Sequence, residues 1–99
     1  MSEFLEREVV KGYWLYDGII RKGLIIKAIN YDYWYELEKS EGLDMAGQEP
    51  ELNEMGEMYM IEWTDHIHKN RESFAVGTLD LESTKLKAED IVNQAIEWV

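Results

Sequence analysis

The run Glu8–Tyr16, the dipeptide Asp17-Gly18 and the run Ile19–Ile29 constrain the fold of this chain more than any other feature. The first run is rich in Val, Tyr and Trp, which suit a pleated, half-buried strand. Asp-Gly between two such runs is the preferred two-residue type I′ turn, because both turn positions need positive φ. A turn of two residues sets a register: Tyr16 faces Ile19, Trp14 faces Arg21, Gly12 faces Gly23, Val10 faces Ile25 and Glu8 faces Lys27. An acid opposite a base at the open end agrees with that pairing. The facing glycines predict a dent where strands coil sharply or another backbone comes close. Leu24–Ile29 is apolar on both parities, the pattern of a central strand covered on two sides. An antiparallel sheet built around this hairpin is therefore expected.

Beyond Asn30, Tyr31, Tyr33, Tyr35 and Leu37 alternate with Asp32, Trp34, Glu36 and Glu38. That alternation predicts a further strand with one aromatic and one acidic face. It is preferred to a short helix capped by Asn30, whose apolar stripe of Tyr33, Trp34 and Leu37 stops after one turn. Glu38–Gly56, with Gly42, Gly47 and the only proline, Pro50, reads as a long surface loop of the kind that carries function. Met58–Thr64 alternates again, with Tyr59, Ile61 and Trp63 on one face and Met58, Met60 and Glu62 on the other. Asp65–Glu72 reads as a polar connection, and Ser73–Leu81 as a last strand weakened by Gly77. From Ser83 or Thr84 the period changes. Ala88, Ile91, Val92, Ala95, Ile96 and Val99 form the stripe of an amphipathic helix that runs to the C-terminus.

The expectation is an α+β fold in a single domain, residues 1–99: an antiparallel β-sheet of about four strands covered on one face by the C-terminal helix. One helix covers one side only. The other side, unusually aromatic, is left for water or a second protein.

Charge narrows the function. The chain of 99 residues has a net charge of −11. Residues 1–30 hold five Lys/Arg against four Asp/Glu, a balance of +1, and residues 66–99 hold four against six, a balance of −2. The segment 31–65 holds only Lys39 against eleven acids, a balance of −10. Such a chain is repelled by phosphate backbones and by anionic membranes, so direct nucleic-acid or membrane binding is disfavoured. A hydrophobic fraction of 45% argues against disorder. Without cysteine, disulfides, thiol catalysis and cysteine metal sites are excluded. No cationic leader and no apolar run of membrane-spanning length is visible, which points to the cytoplasm.

Catalytic constellations are weak. His66-Ile67-His68, near Asp65 and Glu62, would place two imidazoles on one face of a strand, but a metal site needs three or four ligands. Asp44, Glu49, Glu51 and Glu54 lack the EF-hand order and its central glycine. Ser73 and Ser83 lie in no nucleophile elbow, no phosphate-cradling glycine loop is present, and scattered loop carboxylates do not make an acid–base pair held across a cleft. No catalytic residue, metal or cofactor is assigned, and the reading leans away from an enzyme. The coincidence of tyrosine, tryptophan and carboxylate in one segment points instead to protein binding. Tyr31, Asp32, Tyr33, Trp34, Tyr35, Glu36, Glu38, Glu49, Glu51, Glu54 and Glu57 are the candidate partner-binding residues. Rings would supply desolvated anchors and carboxylates would speed encounter with a basic protein, as in a stoichiometric inhibitor or neutraliser of a nucleic-acid-handling partner. The rival expectations are a homodimer formed through the uncovered sheet face, and a small ligand-binding domain or enzyme using that face and the 38–56 loop.

Overall fold

Asp17 and Gly18 both take positive φ, 54° and 72°, and the Ile19 N–H donates to the Tyr16 carbonyl at 3.1 Å. The turn type is the one that Asp-Gly dictates. The register is not. Ile19 is left over as an extra residue, so Tyr16 pairs with Ile20, Trp14 with Lys22, Tyr13 with Gly23 and Gly12 with Leu24. A second irregularity at Val9 absorbs the slip, and Glu8 pairs with Lys27 as expected. Since side chains alternate in direction along a strand, the one-residue slip moves the two glycines to opposite faces of the sheet.

The computed structural model describes residues 4–42 and 49–99. Its elements are β1 (Glu6–Tyr16), β2 (Ile20–Ile29), α1 (Tyr33–Ser40), β3 (Met58–Thr64), β4 (Arg71–Val76), α2 (Leu81–Val92) and β5 (Glu97–Trp98). Among the described residues the strands form one antiparallel sheet in the order β4-β3-β2-β1-β5. The α+β class holds, with β5 as a strand the sequence pattern did not signal. β2 lies at the centre, and Leu24, Ile25, Ile26, Ala28 and Ile29 are all buried, which explains a run that is apolar on both parities.

One face carries Leu24, Ile26, Ile61 and Trp63, packed with Ala88 of α2 and Ile96. Asp80 starts α2 by accepting from Ser83 N at 2.9 Å. The helix stops at Asn93, which adopts the left-handed conformation. Gln94 N–H donates to Glu89 O and Asn93 N–H to Asp90 O, the paired bonds of a Schellman ending. The expected stripe through Val99 is thus cut short. Ile96 is buried from the segment after the helix, while Ile91 is 51% exposed. The turn after α2 also seals the edge of β1, because the Gln94 amide donates to Leu15 O at 2.8 Å and accepts from Leu15 N at 3.0 Å.

The opposite face is not the bare aromatic surface expected. At one end Ile29, Met58, Met60 and Val76 are covered by Tyr31, Tyr33, Leu52 and Leu79. At the centre Lys27 Nζ reaches Glu62 at 2.9 Å and Glu6 at 3.0 Å, and Arg71 approaches Glu62 at 3.8 Å. Burial works to lower the Lys27 ammonium, but its hydrogen bonds to Glu62 and Glu6 outweigh that and hold it above its ordinary value. At the far end the 65–70 turn folds back: His68 Nε2 lies 2.9 Å from Gly12 O, and its ring rests on Tyr13 with centroids 4.7 Å apart. The absence of a side chain at Gly23 admits that turn.

The expected strand through Tyr31–Glu38 is a helix. Asp32, not Asn30, caps it, accepting from Tyr35 N at 3.2 Å. The second oxygen of the same carboxylate accepts from Glu51 N at 2.8 Å, so one side chain starts α1 and pins the following loop.

Candidate functional site

α1 and the 49–57 segment form one pole of the molecule, beyond the β2–β3 pairing of Ile29 with Met58. The eleven candidate residues separate here into three groups. Tyr31 and Tyr33 are packing residues: Tyr31 stacks on Phe4 with centroids 4.5 Å apart, and Tyr33 meets Phe74 edge-on at 5.6 Å. Burial, aided by Glu6 and Tyr33, pushes the Tyr31 phenol up, so it stays neutral. Asp32 is committed to its cap. Glu57 is committed as well, since Arg7 donates Nε to its Oε2 at 3.0 Å and a second guanidinium nitrogen to Oε1 at 2.8 Å. Those bonds hold the Glu57 carboxyl below its ordinary value. Nothing in the sequence marks Arg7 as its partner, fifty residues away.

The side chains of the remaining seven make no such hydrogen bond or ion pair among the described residues. Trp34 is 54% exposed. Tyr35, Glu36 and Glu38 are half-buried on α1, and Glu49, Glu51 and Glu54 are exposed on the loop. Among the described residues, Glu36, Glu38, Glu49, Glu51 and Glu54 form no ion pair, and Glu41 at the end of α1 forms none either. Trp34 and Glu51 flank an open depression of about 350 Å³ whose other walls are Asp32, Met58 and the 77–79 turn. The turn residues were not legible as site residues, because topology alone brings β4's exit beside α1. The depression combines an exposed indole face, a free carboxylate and apolar walls, the environment that suits an alkyl-stemmed cation of lysine or arginine.

The histidine pair does not assemble a site. His66 is exposed, while His68, with φ +59°, is turned inward onto Tyr13 and Gly12. Asp65 serves the turn itself. It accepts from Lys69 N at 2.9 Å and Asn70 Nδ2 at 2.7 Å, and these bonds hold its carboxyl below the ordinary value. Among the described residues no group of three potential ligands converges on a metal position. Asp44, the first of the calcium candidates, lies outside the described residues. No described helix is long and apolar enough to cross a membrane. No family model, no curated protein and no solved structure matches this chain.

Proposed function

We propose that the chain is a protein-binding module whose acidic pole docks a basic protein, in the manner of a stoichiometric inhibitor or neutraliser. The observation that carries this reading is the half-exposed Trp34 set among carboxylates with no ion pair among the described residues. Carboxylates left without cations at a single pole cost self-repulsion, and a basic partner relieves it. The indole provides the kind of large, rigid anchor that carries binding energy once desolvated. Clustered charge speeds encounter, and a desolvated ring slows release. A nuclease or other nucleic-acid-handling protein presents the basic surface this pole fits.

The test begins with co-purification of the chain from its native host at low salt, followed by binding kinetics with the captured partner. Association should slow steeply as salt rises, because the charges are screened over about 8 Å at physiological ionic strength. Trp34→Ala should raise the off-rate at least about tenfold while leaving the on-rate nearly unchanged. Salt-independent association together with an unaltered off-rate would overturn the assignment.

A further inference from the structure

A group of exposed apolar side chains gathers at the opposite end of the molecule. Ile19, at the tip of the first hairpin, is 77% exposed, and Tyr16, Ile20 and Ile91 are each about half exposed. Beside the tip a groove of about 600 Å³ opens between the last turn of α2 and the sheet. Tyr16, Trp14 and Trp63 line it as a ladder of edge-on rings, with centroids 6.0 and 5.8 Å apart. Ile20 and Ile91 form its walls, and the Lys22–Glu72 ion pair at 2.8 Å closes its rim. β3 ends at Thr64 opposite Gly23, so the hairpin tip overhangs the rest of the sheet. A tip that projects beside its own groove is a knob next to a hole.

We propose that this pole is the interface of a two-fold dimer, in which Ile19 of each copy enters the groove of the other. An isologous interface requires one patch to be complementary to itself, and a knob beside a hole on the same surface meets that demand. Charge selects the same arrangement. Residues 1–30 have a balance of +1 and residues 31–65 a balance of −10. β2, ten residues long, separates the tip from the acidic pole by about 33 Å at 3.3 Å per residue. Joining two copies tip to tip places their acidic poles at the far ends, many screening lengths apart. Any packing that brings α1 of one copy to the other copy incurs the repulsion of the unpaired carboxylates. At the rim, Lys22 and Glu72 neutralise one another, so the groove itself presents a paired rather than a lone charge to the entering side chain. The dimer would display two outward acidic poles, each free to take a basic partner.

Sedimentation velocity of the full chain from about 1 to about 100 µM, the span over which modest interfaces dissociate, tests the proposal. The dimer mass should dominate at the upper end. Ile19→Asp and Ile91→Glu lie on separate elements and change exposed side chains, so each variant should keep its circular dichroism spectrum. Each should move the dimer midpoint at least about tenfold higher in concentration, as loss of a central apolar contact does. Trp34→Ala, at the other pole, should leave the midpoint unchanged, which separates this interface from the docking of a basic protein. A wild-type chain that stays monomeric throughout overturns the dimer, whether its groove is empty or holds a small apolar molecule or another protein. A dimer unaffected by both substitutions overturns the assigned surface.

Discussion

A methyl group at Gly23 would lie 2.5 Å from the Asp65 carbonyl oxygen and 2.7 Å from His68 Cδ2. At Gly12 it would lie 2.8 Å from Ile96 Cγ2 and 2.9 Å from Trp98 Cε3. The first obstacle is backbone held by a hydrogen-bonded turn, and the second is the far end of side chains that can shift. Gly23→Ala should therefore destabilise the fold by about 2 kcal/mol, and Gly12→Ala by less, as overpacking against rigid and yielding neighbours predicts. Urea unfolding of the two variants checks the order. Close approach at both glycines was legible from their place in strand patterns, but their faces were not. One extra residue at Ile19 decides those, and no local signal marks it. Asp65 offers a second test at this scale. Its carboxyl is held below its ordinary value by bonds from Lys69 N and Asn70. A depressed folded value favours the fold above the unfolded pKa, and that contribution is lost as pH falls through the folded value. The difference in Tm between wild type and Asp65→Asn should be widest above about pH 4 and close below it. A difference that does not change with pH would remove Asp65 from the account.

At the scale of elements, α1 shows where periodicity loses its force. Its eight residues include none that is buried, so neither a helical stripe nor a strand alternation separates inside from outside. Tyr31, Tyr33, Tyr35 and Leu37 alternate in sequence, yet only Tyr31 and Tyr33 pack on the Ile29–Met58 cluster. What fixes the helix is the Asp32 carboxylate, and half of its role, the bond from Glu51 N, is invisible without the fold. β3, by contrast, was fully legible: Tyr59, Ile61 and Trp63 face one way and Met58, Met60 and Glu62 the other, because both of its faces touch neighbours. The end of α2 failed for a related reason. Ala95, Ile96 and Val99 remain in helical phase with Ala88 and Val92, so the stripe hides the left-handed Asn93 that breaks it. The expected consequence of the cap is specific. Asp32→Ala should cost about 1–2 kcal/mol, the usual loss of a helix N-cap. Hydrogen exchange should also quicken at the Glu51 amide, twenty or so residues along the chain, while the amides of β2 keep their relative protection. Unchanged exchange at Glu51 would mean that the loop is held by something other than Asp32.

For the whole molecule, the net charge of −11 is a mechanical fact as well as a recognition signal. Composition made the acidic segment plain. What it left hidden is that cations on the strands neutralise part of the acidity: Arg7 meets Glu57 just before β3, Lys27 and Arg71 meet Glu62, and Lys22 meets Glu72. Among the described residues, repulsion is then concentrated at α1 and the 49–54 segment, on side chains that are not buried. Exposed carboxylates of this kind contribute little to stability individually, but like charges crowded at one pole oppose the compact state together. Two results should follow. The Tm of the wild-type chain should rise as salt goes from about 10 mM to about 150 mM, since the screening length falls from about 30 to about 8 Å. Replacing Glu49, Glu51 and Glu54 together by Lys changes the net charge from −11 to −5, two units at each of three sites. That variant should keep the wild-type circular dichroism spectrum and show a much flatter dependence of Tm on salt. Paired carboxylates such as Glu57 behave in the opposite sense, because screening weakens an attraction. Glu57→Gln should therefore steepen the rise rather than flatten it. Equal salt slopes in wild type and the triple variant would show that the acidic pole exerts no strain on the fold, and would remove the physical reason for it to seek a cationic partner.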